Sequence, residues 1–332
     1  LSRSAIDQSN MMMPTFTGGI VYDKVSHTVQ KNEFDDWDEF NAQQSTGGWM
    51  AMVQQYFIAA WIPNQAEPQT FSASSSNNLH KLTNANPQIS LGAGSSATLA
   101  ANQLYLGPKE YGKIEEVATG LNYTLDYGWL DILADPLSWA IHKINDFIDS
   151  WGWSIIIITI LIKLVFYPLS EKSYRSMAGM RKLSPRLTKL KETYGDDKQK
   201  MGQKTMELYK KEKINPASGC LPIMVQIPVF IAFYWMLLDT VELRQTSFWW
   251  LTDLSTQDPY YILPIIMGAS MFIQQKLNPP PPDPMQAKIM MSLPFVFTIF
   301  FLWFPSGLVL YWVFNNVLSI AQQWTINKRI NA

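Results

Sequence analysis

Cysteine is nearly absent from this sequence. Cys220 is the only one in 332 residues, which excludes a disulfide framework and any multi-thiolate metal site. Histidine is almost as scarce: His27, His80 and His142 sit far apart and away from any cluster of other ligands. There is no Gly-rich phosphate loop, no HExxH, no GxSxG and no Ser/Lys pair of protease type, so the residues supply no machinery for nucleotide hydrolysis or nucleophilic catalysis. Basic residues concentrate in one segment that lacks the interleaved aromatics of a nucleic-acid platform. These gaps point away from an enzyme, a bound cofactor and a reader of nucleic acid.

What the chain does have is apolar bulk, 47% hydrophobic residues with 13 Trp, 17 Phe and 16 Met. Its mean hydropathy of −0.04 resembles a soluble protein, but the average hides a division. Residues 1–150 are polar, and the apolar segments crowd into 151–332, as expected for a soluble domain followed by a polytopic membrane domain. Charge is sorted in the same way beneath a net value of −1: residues 1–150 carry 7 Lys/Arg against 16 Asp/Glu, whereas 171–213 carry 13 against 6. The chain opens at Leu1 with no initiator Met, signal peptide or leading hydrophobic span, so a preceding segment that carries the acidic region across a membrane is expected.

Residues 1–125 are rich in Ser, Asn, Gln, Thr and Gly, with short alternating stretches such as "GGIVYDKVSHTVQ" and "SATLAANQLYLGP". They read as strands of a β-sandwich or similar sheet domain. "GGWMAMVQQYFIAAWIPN" reads as a strand pair or buried core, and "QTFSASSSNNLHKLTNANPQ" reads as loop. Over 126–151 the apolar residues Leu130, Leu133, Leu137, Ile141 and Ile144 recur at threes and fours, with Trp at both ends. That pattern predicts an amphipathic helix lying in the membrane interface, with a core helix of the soluble domain as the alternative.

Five spans are expected from 152 to 330, near 153–169, 219–238, 260–275, 288–304 and 307–326. The first and third are short for a hydrocarbon core of ~30 Å. The tight turn "WFPSG" predicts that the last two are antiparallel neighbours. Basic residues in short loops set the orientation: 171–213, Lys276, Lys288, Lys328 and Arg329 fall on the cytoplasmic side, and the acidic 1–150 region and the 239–258 loop fall outside. Residues 170–214 predict a helical hairpin, with a turn at "GDD", an end at "INP" and a kink or restart at Ser184-Pro185. Spacing favours a solvated antiparallel coiled coil held near anionic lipid, with a docking platform for acidic partners or nascent chains as the second reading.

One charge sits inside a predicted span, Lys163 in "SIIIITILIKLVFYPL". Snorkelling to the interface explains it in one way. A water-filled cavity explains it in another, with Thr159 one turn earlier and Pro222, Pro228, Pro264, Pro294, Gln226, Asn315 and Asn316 in or near the other spans.

Five stretches carry a resemblance: "WGWSIIIITILIKLVFYPL", "GDDKQKMGQKTMELYKKEKINP", "GCLPIMVQIPVFIAFYWML", "DPYYILPIIMGASMFIQQK" and "FFLWFPSGLVLYW". In order and spacing they resemble the YidC membrane-protein insertases of Gram-negative bacteria over about 120–330. Residues 1–119 resemble, more weakly, the end of that family's periplasmic β-sandwich. The resemblance implies a polytopic α-helical core of five helices around a hydrophilic groove, a cytoplasmic hairpin, an inner-membrane location and no cofactor. It places Lys163 where the family usually has arginine, keeping the charge without the planar fork, and sets Thr159, Gln226 and Asn315 or Asn316 beside it. Tyr311 and Trp312 fall at a pair of positions along which substrates slide. The implied partners are nascent membrane proteins, the bilayer, and the Sec translocon, ribosome or targeting factors at the hairpin. The rival expectation is a secondary transporter with Lys163 as its ion-coupling site, although the five spans show no internal repeat.

Overall fold

The computed structural model of the chain describes residues 1–4, 15–98, 101–194, 197–212, 215, 221–278 and 284–331. Cys220 and most of the "GDD" and "INP" stretches lie outside the described residues. The chain divides into two units, one of Leu1–Asp131 with Leu238–Glu242, the other of Ile132–Leu237 with Leu243–Ala332.

The first unit is an antiparallel sheet domain. One sheet orders β1 (Ser2–Ser4), β8 (Leu79–Ala85), β7 (Pro68–Ser76) and β4 (Gln43–Thr46); the other orders β3 (Thr28–Glu33), β2 (Gly18–Asp23), β5 (Trp49–Val53), β6 (Phe57–Ile62) and β9 (Gln103–Pro108). The period of two along each strand sends alternate residues to opposite faces, and in β2 and β5 both faces are buried. Val21, Met50 and Met52 pack with Phe71 and Leu82 of the facing sheet and with Trp37. Ile20, Tyr22, Trp49, Ala51 and Val53 pack with Ile114 of α1 (Lys113–Val117) and Leu121. Burial on two sides is why "GGIVY" and "WMAMV" are apolar without interruption. Gly19 leaves room for this packing, because a Cβ there would lie 2.6 Å from the Trp37 ring.

The stretch read as loop, 69–88, is instead a hairpin of β7 and β8. Its alternation is disguised, because small serines stand where larger residues usually mark a strand, yet Phe71 and Leu82 still reach the core. Asn77 and Asn78 join the strands with φ of 50° and 60°, the left-handed pair that a two-residue hairpin turn requires.

Residues 238–242 are bonded within this unit. Lys109 Nζ donates to Asp239 Oδ2 at 3.5 Å and to the Thr124 carbonyl at 3.4 Å, with both charged residues buried. Gln55 Nε2 reaches the Leu238 carbonyl, and Tyr111 N reaches Glu242.

The second unit is helical: α2 (Asp131–Ile148, whose first residue belongs to the sheet unit), α3 (Trp151–Val165), α4 (Tyr167–Tyr194), α5 (Lys198–Lys211), α6 (Leu221–Asp239, whose last two residues belong to the sheet unit), α7 (Ile262–Leu277), α8 (Pro284–Phe300) and α9 (Ser306–Asn331). On α2, Ala134, Ser138 and Ile141 are buried while Ile132, Trp139 and Phe147 stand exposed. Helix α3 stops at Val165, because Pro168 has no N–H for the Leu164 carbonyl and its ring crowds that turn; α4, starting at Tyr167, leaves at 65°. The expected restart at Pro185 does not occur; α4 runs through it as one helix. Asp197 caps α5 by accepting from Lys200 N.

Helix α9 packs along α3, α4 and α7. Helix α8 lies along α7, where Gly268 admits Thr298 so closely that a Cβ would fall 1.8 Å from its hydroxyl. That corrects the expectation drawn from "WFPSG": a short turn ties the ends of two helices, but Gly268 decides which helix α8 follows. Among the described residues, Met285–Trp303 alone is both long and apolar enough to cross a bilayer unbroken. The bent α3–α4 pair passes the same test jointly, and Met224–Asp239 and Ile262–Leu277 are shorter apolar helices.

Candidate functional site

Lys163 lies in the last turn of α3 and turns inward. Its Nζ donates to Ser319 Oγ of α9 at 2.8 Å, and Ser319 Oγ in turn donates to the Asn315 carbonyl one turn back, at 2.7 Å. Tyr174 of α4 donates to the Ser319 carbonyl, and Gln322 Nε2 to the Lys163 carbonyl. An ammonium has three donors; among the described residues Lys163 has one hydrogen-bond acceptor and no carboxylate. A half-buried cation without a counter-ion is costly unless water or a visiting anion completes its shell.

The other expected residues divide into groups. Gln226 of α6 is one turn from Phe230 and donates to the Tyr311 hydroxyl at 2.6 Å. Tyr311 is 1% exposed and packs on Phe233, whereas Trp312 turns away onto Phe230 and Phe301, its ring nitrogen without a partner among the described residues. Asn315 is buried beneath Ser319 with Oδ1 unpartnered among the described residues. Asn316, about 100° further round the helix, bonds Ser270 of α7 instead. Thr159 is buried and returns its hydroxyl to Ile155 of its own helix. Lys163 and Asn315 are therefore brought together through Ser319, Gln226 joins Tyr311, and Asn316 belongs to a separate contact.

Ser319, Tyr174 and Ser270 were not singled out in the sequence. Ser319 carried a signal: Tyr311, Asn315, Ser319 and Gln323 repeat every four residues, a polar stripe down one side of α9.

An antiparallel sheet domain followed by a helical bundle with apolar outer faces and a polar, cationic interior defines a membrane protein with a large soluble domain. Residues 143–332 match the family model described as 60Kd inner membrane protein, and residues 1–140 match the YidC periplasmic domain. The chain belongs to the 60Kd inner membrane protein family. It is 66% identical over 331 residues to the membrane protein insertase YidC of Ruthia magnifica subsp. Calyptogena magnifica, covering 100% of this chain and 61% of that protein. It is 64% identical to that of Vesicomyosocius okutanii subsp. Calyptogena okutanii with the same coverage, and 53% to that of Methylobacillus flagellatus, covering 97% and 58%. The chain thus spans about three fifths of the length of the curated relatives it matches. Among solved structures it shares its fold with an active YidC insertase crystal structure with the first transmembrane domain resolved, at a TM-score of 0.53 and 19% identity, over 92% of this chain and 82% of that one.

Proposed function

We propose that this chain belongs to a membrane-protein insertase, which moves hydrophobic segments of nascent proteins into the inner membrane without covalent chemistry, cofactor or nucleotide. The single observation that carries the reading is the inward-facing Lys163 ammonium, seated on Ser319 with no carboxylate of its own among the described residues. A substrate's short acidic segment enters beside it from the cytoplasm, and Lys163 and Asn315, with Gln226 further along, offset part of the penalty of dehydrating that segment. The apolar helix behind it leaves sideways past Tyr311 and Trp312 into lipid. Burial supplies the driving force at ~25 cal/mol per Å², and the membrane potential adds ~2.3 kcal/mol per charge per 100 mV. Five spans, an outside sheet domain, and a cytoplasmic hairpin at 170–214 that receives the ribosome, targeting factors or the Sec translocon complete the reading.

Two rivals have observations of their own. A transporter would use Lys163 as an ion site. A Ser/Lys hydrolase would use the 2.8 Å Lys163–Ser319 contact, a pair that the sequence did not reveal. The hydrolase is the weaker, because Ser319 spends its proton on the Asn315 carbonyl and sits inside a helix whose backbone donors are already paired, leaving no oxyanion site.

Reconstitution into sealed vesicles with a labelled single-span substrate separates these readings. Lys163→Arg keeps insertion near wild type, and Lys163→Ala and Lys163→Glu lower it selectively for substrates with acidic leading segments. Undiminished insertion of such substrates by Lys163→Glu sinks the charge account. Solute flux without insertion favours the transporter, and loss of substrate cleavage in Ser319→Ala favours the hydrolase.

A further inference from the structure

A second cationic site lies at the C-terminal end of α7. Here α4, the C-terminus of α7 and the last turns of α9 enclose a cavity of about 230 Å³, lined by Met177, Ala178, Arg181, Lys182, Leu277, Gln323 and Asn327. At ~30 Å³ per water it holds roughly eight, room for a polar headgroup. Arg181 uses one nitrogen on the Leu277 carbonyl at 2.8 Å, leaving most of its five donors free to bind. Lys182 has no partner among the described residues. Lys276, Lys328 and Arg329 stand on the same helix ends. No acidic residue occurs in 172–191, in α7, in α8 or in α9; Asp283 lies outside the described residues.

The buried residue of the cavity adds a second requirement. Gln323 is 2% exposed, and its amide nitrogen is spent on the Leu277 carbonyl and on Asn278 at 3.3 and 3.2 Å. Its Oε1 has no partner among the described residues. An unpaired buried acceptor wants a donor, which an ionised phosphodiester group by itself does not offer. The ligand that satisfies both needs has a phosphate for Arg181 and Lys182 and a hydroxyl for Gln323.

We propose that this cavity binds the headgroup of an anionic, hydroxyl-bearing phospholipid of the phosphatidylglycerol type, phosphate against Arg181 and Lys182 and glycerol hydroxyl against Gln323. The source is the bilayer rather than solution, because basic pockets between membrane helices on the cytoplasmic side meet headgroups at that depth. The assignment rests on the orientation proposed above. A lipid seated there bridges three helices, among them α9, which carries Ser319.

The test is the lipid retained by purified protein, read by native mass spectrometry from micelles containing equimolar phosphatidylglycerol, phosphatidic acid and phosphatidylcholine. Wild type retains phosphatidylglycerol over phosphatidylcholine by at least about tenfold, and Arg181→Gln/Lys182→Gln loses that preference at roughly fivefold per cation. Gln323→Leu narrows the margin of phosphatidylglycerol over phosphatidic acid. The control Lys24→Gln/Lys81→Gln, equal in charge but on the sheet domain, changes nothing. Equal loss in that control overturns the site in favour of general surface attraction, and so does retention untouched by Arg181→Gln/Lys182→Gln. Displacement of the lipid by millimolar free glycerol phosphate overturns the bilayer as source. Sidedness is read separately by labelling Asn327→Cys in a Cys220→Ser background in sealed vesicles. Labelling from outside overturns the orientation even where retention persists, so the two failures are told apart.

Discussion

Lys109 is buried and Lys163 half-buried, and their settings are opposite. Lys109 is enclosed with Asp239 and the Thr124 carbonyl; burial lowers its proton affinity, and the Asp239 charge raises it in part. Enclosed pairs of this kind add little net stability, yet removing one partner strands the other charge. Lys109→Met is therefore expected to destabilise the sheet domain by about 3–5 kcal/mol, and Lys109→Met/Asp239→Leu to recover most of that, in a double-mutant cycle read by chemical denaturation. Failure of the double variant to recover shows that the cost lies in packing rather than in charge. Lys163 has the Ser319 hydroxyl and, among the described residues, no carboxylate, which leaves its charge to a visitor on the function proposed above. The two also differ in how visible they are in the sequence. Lys163 was legible because it interrupts an apolar run. Lys109 in "GPKEYGK" looks like an ordinary solvated charge, and its partner is 130 residues distant. Ser319 was hidden because a serine in a membrane helix is common, and only its spacing from Asn315 marks it.

The same contrast holds for elements. The helices were legible because apolar periodicity and Tyr167-Pro168 fix where they run and stop. The β7–β8 hairpin was not, since strand recognition leans on branched and aromatic residues and this one is built from serines around Phe71 and Leu82. Which helix packs on which was hidden as well, because it depends on single small residues. Gly268 is the clearest case, with Thr298 seated where its Cβ would be. Gly268→Leu is expected to force α8 off α7, at a cost of at least about 1–3 kcal/mol from overpacking, with faster proteolysis within α8 as the readout. Gly268→Ala gives the same change in smaller degree. If proteolysis in Gly268→Leu matches wild type, the close approach is not what holds α8. Asp258 acts at the other end of α7, accepting from Leu263 N at 2.7 Å and from Trp250 Nε1.

At the scale of the whole molecule, length is the governing quantity. Helices α3 and α7 have 15 and 16 residues, so each rises only about 22–24 Å at 1.5 Å per residue, against a hydrocarbon core of ~30 Å. A bilayer around helices this short thins or exposes polar ends, at fractions of a kcal/mol per Å. Insertion by the reconstituted protein is accordingly expected to run faster in vesicles of shorter acyl chains, over a series matched in headgroup, and the Lys163→Ala defect to shrink as the bilayer thins. A flat response across the series removes thinning from the mechanism. The start of α9 bears on where a passing anion goes next. A helix N-terminus ordinarily offers unspent amides to negative charge, but here Ser306 N and Gly307 N are taken by the Thr256 and Leu254 carbonyls, and the Ser306 hydroxyl by Asp253. Some 20 Å of helix separates that closed end from Ser319. On the function proposed above, a carboxylate drawn in by Lys163 finds no unspent amide waiting at that end of α9 among the described residues, and so has nothing there to moor it halfway.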